Sequence, residues 1–209
     1  MSLNSSGSKG RSHRTKTAVD VAAPYNAAMR LHLRPHPSTP SPGVDLFEVQ
    51  LERLNASVAV CYRVQGTTDD LLVPEIRSSM REHGLWQHTC FELFARSDTG
   101  TRYREFNLSP STCWAAYDFD DYRSGMKDAP GVAPPSIRIE KLPQQFSLEV
   151  LLPCAALTGT STQTVHLGLA AVLEHRDRRK SYWALVHPAE KPDFHHPGAF
   201  TLALDIGVA

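Results

Sequence analysis

The sequence predicts an all-β fold, an antiparallel β-sandwich, and three observations carry that prediction. Apolar residues recur at period two over most of the chain after residue 44, which is the repeat of a strand with one buried face. Turn-forming residues punctuate these segments at the spacing of a sandwich. Helical periodicity is confined to two short stretches, residues 74–81 and 155–157. An up-and-down barrel shows the same alternation and is the competing architecture.

In chain order, residues 1–28 are polar or small without a sustained period and read as a disordered tail, with the folded body spanning 29–209. Residues 34–43 hold four prolines, which fix an extended rather than a helical start. Phe47, Val49 and Leu51 then alternate with Glu48, Gln50 and Glu52, and Val58, Val60, Tyr62 and Val64 with Ala59, Cys61 and Arg63. Residues 91–95 and 103–108 flank Ser97-Asp98-Thr99-Gly100, a turn sequence, and should form a hairpin. Further strands are expected at 113–119, 146–152, 167–173, 182–186 and 200–206, nine in all. The run His175-Arg176-Asp177-Arg178-Arg179-Lys180 lies between two of them and reads as a solvated hairpin turn.

The 209 residues suit one domain with a tail. Lys+Arg and Asp+Glu both number 22, so no basic surplus exists to neutralise nucleic-acid phosphates. No apolar run approaches the roughly 20 residues of a membrane helix. Cys61, Cys90, Cys113 and Cys154 form no CxxC pair, and three of them sit in strand-like text as small hydrophobes. Residues 1–16 carry no apolar stretch of a secretion signal. The expectation is a cytoplasmic protein with reduced thiols.

One block stands out. Gly84-Leu85-Trp86-Gln87-His88-Thr89-Cys90-Phe91-Glu92-Leu93-Phe94 leads through the hairpin into Tyr103-Arg104-Glu105-Phe106-Asn107-Leu108-Ser109-Pro110. Trp114-Ala115-Ala116-Tyr117 follows, and Tyr182-Trp183-Ala184-Leu185, His187-Pro188 and Lys191-Pro192-Asp193-Phe194-His195-His196-Pro197 stand near the end. A tryptophan, a strand glutamate six residues on, and a hairpin into an aromatic-x-x-Phe-Asn-x-Ser-Pro strand resemble the DOMON-like proteins, a bacterial group related to the family-9 carbohydrate-binding modules. The resemblance covers roughly residues 30–207. It implies an immunoglobulin-like sandwich of two antiparallel sheets and a ligand-binding role, with sugar or haem as ligand. Trp86 and Glu92 match the family's tryptophan and glutamate, and Trp183, Phe194 and Trp114 are candidates for a second stacking ring.

The residue types support the same chemistry. A sugar packs its C–H face on an aromatic ring and offers its hydroxyls to planar partners such as carboxylate, amide or guanidinium. Trp86, Glu92, Arg104 and Asn107 lie on one hairpin, with Trp114, Trp183 and the turn of Phe194, His195 and His196 as walls. Arg104 and Asn107 fall on opposite faces of an ideal strand, so both reach one ligand only across a bulge. Arg104 could instead pair with Glu92 across the hairpin.

The expected function is therefore a non-catalytic module binding a sugar or other small polar ligand, with neither nucleic acid nor membrane as partner. Three alternatives are a protein-interaction domain without a sugar site, a haem-binding domain, and a glycan-acting enzyme using Glu92 and Glu105. Haem would draw axial ligands from Met80, Met126 and the histidines. Calcium would fall to the acidic run 118–121. No zinc-type spacing occurs, since adjacent His195 and His196 point to opposite sides.

Overall fold

The computed structural model describes residues 1, 28–159 and 163–207. The expected tail, residues 1–28, lies almost wholly outside them. Among the described residues thirteen strands run in chain order: β1 (Met29–His32), β2 (Arg34–Pro35), β3 (Val44–Leu54), β4 (Ser57–Gly66), β5 (Cys90–Ser97), β6 (Tyr103–Leu108), β7 (Trp114–Phe119), β8 (Lys127–Asp128), β9 (Ser136–Leu142), β10 (Gln145–Pro153), β11 (Thr164–Glu174), β12 (Lys180–Ala184) and β13 (Leu202–Asp205). They form a β-sandwich. One sheet is ordered β1-β3-β4-β10-β9 and the other β2-β12-β11-β5-β6-β7-β8. Every strand pair is antiparallel. β12 and β13 take successive positions along the same edge of β11.

Period two places Val58, Val60, Tyr62 and Val64 of β4 and Phe146, Leu148, Val150 and Leu152 of β10 between the sheets. They meet Phe91, Leu93, Phe106, Leu108 and the apolar residues of β11. Phe91 is fully buried, with ring centroids 5.1 Å from Tyr62, 5.8 Å from Phe146 and 6.0 Å from Phe47. The Tyr62 hydroxyl donates to the Glu92 carbonyl at 2.9 Å, tying the two sheets together without leaving a buried donor unpaired.

The outer faces differ. On the five-stranded sheet the outward face is solvated and carries charged pairs such as Arg63–Glu48 at 2.7 Å. On the larger sheet the outward residues are buried again, under a second apolar layer that includes Leu85, Phe94, Tyr103, Tyr117, Phe194 and Phe200. A sheet covered on both faces loses its polar alternation. That is why β5, β6 and β7 are buried at nearly every position.

Two features depart from expectation. Residues 74–81 are extended, not helical. Ile76 and Met80 have helical spacing but are both exposed, so nothing rewards a helix there. The backbone bonds instead to the segment entering β7: Arg77 N donates to Ser111 O, and Trp114 N to Met80 O. β1, β9 and the two-residue strands β2 and β8 are additional strands. In β9 only Ile137 and Ile139 turn inward and both are partly buried, which is a weak signal on a sheet edge. The turn at residues 154–156 is a single 3₁₀ turn, as its sequence suggested.

Candidate functional site

Strand register assembles a polar patch on the covered face of the larger sheet. Glu92 pairs Ala170 on one side and Asn107 on the other, and Asn107 pairs Ala115. Ala170 also pairs Ala184. The result is a row across the sheet in which alanines flank a carboxyl and an amide. The next row runs Gly168, Phe94, Glu105, Tyr117 and Asp128.

Glu92, Glu105 and Asn107 are 3%, 5% and 1% exposed. Asn107 Nδ2 donates to Glu105 Oε1 at 2.6 Å, and the Cys90 thiol lies 3.6 Å from Asn107 Oδ1. His195 Nε2 stands 3.7 Å from Glu105 Oε2 while its Nδ1 hydrogen-bonds the Tyr103 hydroxyl at 2.8 Å. Arg123 is engaged by Asp193, with Nη2 to Oδ1 at 2.7 Å. Tyr122 also donates to Asp193, at 2.5 Å. These contacts seat the Asp193–His195 turn over the sheet. On the other flank, the Tyr117 hydroxyl bonds His83 Nδ1 at 2.9 Å.

His83 lines a cavity of about 230 Å³ beside the one-turn helix Leu85–Gln87, together with Arg77, Gln87, His88 and Ser109. Gly84 opens that turn at φ +75°, a conformation costly for a residue with a Cβ. Leu85 packs down onto the apolar layer. Trp86, next in the chain, is 51% exposed, so its ring is a surface group and not part of the core.

Burial, and Glu105 beside it, push the Glu92 carboxyl well above the ordinary carboxylate range. Burial lifts Glu105 to about 7, against the pull of Asn107 and Arg123. Burial and then Arg123 hold His195 down to about 4, so its imidazole is neutral at pH 7. The two kinds of shift act oppositely on stability. A carboxyl raised on folding stabilises at acid pH, and that contribution is lost as pH rises from 4.5 through about 7. A histidine lowered on folding penalises the fold as pH falls from 6.5 toward about 4; His187, lowered by burial, works with it. Two carboxyls outweigh one strongly shifted imidazole. Wild-type stability is expected to be higher at pH 5 than at pH 8, by about 1–3 kcal/mol. Glu105→Gln should remove most of that difference. Urea unfolding at both pH values checks it, and a stability that rises from pH 5 to pH 8 contradicts it.

The other expected site residues divide. β5, β6 and β7 pair without a bulge, so Arg104 stays on the inward side, away from Glu92 and Asn107. Its guanidinium grips Asp118 with both arms, Nε to Oδ1 at 2.7 Å and Nη2 to Oδ2 at 2.9 Å, and Nη1 donates to Ala156 O at 2.8 Å. Arg104 therefore belongs to a structural ion pair with Asp118, not with Glu92. It borders a separate cavity of about 440 Å³ at the hairpin end.

Trp114 and Trp183 are buried in the inter-sheet core, which removes both from the walls. Trp183 Nε1 donates to Ser181 Oγ at 3.0 Å, and Arg81 lies over Trp114 at 4.6 Å. Phe194 and His195 do cover the patch. His196 turns away and accepts from Gly198 N, capping the turn Pro197–Ala199. Tyr103, Tyr117, Arg123 and Asp193 complete the patch. Tyr103 shares its face with Glu105 by period two, whereas Arg123 and Asp193 reach it only through the fold.

Among the described residues no group of three His, Cys, Asp or Glu could hold a metal ion. Asp118 and Asp120 of the acidic run are paired instead with Arg104 and with Lys127. All four cysteines are free. No helix among the described residues is long and apolar enough to cross a membrane.

No protein-family model and no curated protein matches the chain. Among solved structures, it is similar to a proposed carbohydrate-binding protein from Bacteroides uniformis, at 14% identity and TM-score 0.63 over 85% of this chain and 86% of that one. It is also similar to a family 9 carbohydrate-binding module from Caldicellulosiruptor kristjanssonii. That module in complex with cellotriose aligns at 12% identity and TM-score 0.49, over 84% of this chain and 78% of its own. In complex with glucose it aligns at 10% identity and TM-score 0.49, over 84% and 83%. What the first likeness establishes is the shared fold.

Proposed function

We propose that this chain is a non-catalytic carbohydrate-binding module of the DOMON-like kind, taking its sugar on the covered face of the larger sheet. One observation carries the reading: a carboxyl–amide–carboxyl patch, Glu92, Asn107 and Glu105, is buried on the outer face of a sheet whose inner face already supplies the core. Burying such groups costs free energy unless they serve a partner. The exposed Trp86 ring on the neighbouring turn supplies the apolar platform a pyranose needs. The sandwich fold of the Bacteroides uniformis protein, proposed to bind carbohydrate, supports the same reading.

A glycan array followed by calorimetry on the full chain tests this. Binding of a mono- or oligosaccharide without turnover is expected. Absence of binding to any sugar at millimolar concentration contradicts it, as does hydrolysis of a chromogenic glycoside that is lost in Glu92→Gln.

A further inference from the structure

The polar patch holds more acids than bases. Glu92, Glu105 and Asp193 bring three carboxyl groups, and Arg123 faces them as one cation already bound through two nitrogens to Asp193. His195 over the patch is held neutral by burial, and His83 and Arg81 stand at its Tyr117 flank. Cys90, Tyr103 and Tyr117 also face the pair, and burial raises all three, so they add no charge near neutrality. Glu105 is satisfied on one side by Asn107. The Glu92 carboxyl, in a residue 3% exposed, makes no side-chain hydrogen bond among the described residues. A buried carboxyl beside another carboxyl is costly to ionise unless a cationic donor arrives from outside. The donor that best neutralises both groups is a cation.

Resting on the carbohydrate reading above, we propose that the ligand of this face is an amino sugar, a pyranose whose protonated primary amine bonds to Glu92 and Glu105. An ammonium carries three donors and no acceptor. It can therefore bond Glu92 and Glu105 at once while a neighbouring hydroxyl is left for Asn107. A neutral sugar brings hydroxyls in place of that charge, and hydrogen bonds to charged partners are about twice as strong as neutral ones. The exposed Trp86 ring adds attraction for a cation-bearing ring face.

Matched pairs test this by calorimetry at pH 7: glucose with glucosamine, galactose with galactosamine, mannose with mannosamine. In at least one pair the amino member should bind on the order of tenfold tighter. Its binding should release about one proton, read from the dependence of the heat on buffer ionisation, because a bound ammonium favours the ionised carboxyls. In Glu105→Gln, with folding verified by circular dichroism, the preference should shrink to about twofold or less. If the parent sugar binds as tightly as its amino partner, the amino-sugar inference falls and the carbohydrate reading stands. If no member of any pair binds and the glycan array is also blank, both fall.

Discussion

Asp118→Ala is expected to destabilise the fold by about 3–5 kcal/mol, the cost of stranding one member of a buried ion pair. Arg104 is 4% exposed, and its partner reaches it from the directly opposite position on the neighbouring strand. Three of its hydrogen bonds go to Asp118 and to the Ala156 carbonyl, so one guanidinium ties β6, β7 and the 154–156 turn together. Removing Asp118 leaves that cation desolvated without its counter-charge. Arg104→Met should cost less, because its length is kept and Asp118, with its side chain 21% exposed, can still be hydrated. Combining the two should recover part of the Asp118→Ala loss, since the stranded charge is gone. Urea unfolding with an unchanged slope measures all three. A loss below about 1 kcal/mol for Asp118→Ala would mean that the pair behaves as an exposed one.

The three tryptophans should separate by role. Trp183→Ala and Trp114→Ala are each expected to cost about 3–5 kcal/mol, as large-to-small changes in a packed core. Trp183 packs 5.4 Å from Phe47 and also loses its bond to Ser181. Trp114 loses the Arg81 guanidinium over its ring. Trp86→Ala should cost less than about 1 kcal/mol, as at an ordinary surface position, yet abolish measurable sugar binding. Thermal or urea unfolding alongside calorimetry separates the cases. A Trp86→Ala protein that unfolds as easily as the core variants would place its ring in the core and remove it from the site.

These contrasts show where the sequence was legible. Strands β3, β4 and β10 carry strict alternation because one face meets water, so their inward residues can be read directly. Glu92 and Asn107 were also readable, since the Ser97–Gly100 turn sets the hairpin and both fall on one face of it. Trp114 was not. It opens Trp114-Ala115-Ala116-Tyr117, a run apolar at every position, and parity cannot assign a face when both faces are covered. Trp183 suffers the same ambiguity beside Tyr182 and Ala184. For Arg104 the parity was legible and the partner was not. Asp118 sits fourteen residues away in β7, and only the β6–β7 register brings the two together. The seating of the 193–195 turn rests on contacts spanning some 70 to 92 residues, between Asp193 and Arg123 and between His195 and Tyr103. No local period encodes such contacts. Residues 74–81 misled for the related reason that tertiary pairing overrides a weak helical pattern.

We propose the covered face of the larger sheet as the ligand site. The most direct test is an amide chemical-shift titration of the full chain with the tightest sugar from the array. Shifts are expected at residues 84–92 and 103–107 and in the 193–195 turn, with the outer face of the five-stranded sheet unmoved. Shifts confined to the hairpin-end cavity around Arg102 and Lys127, or to the five-stranded sheet, would contradict it.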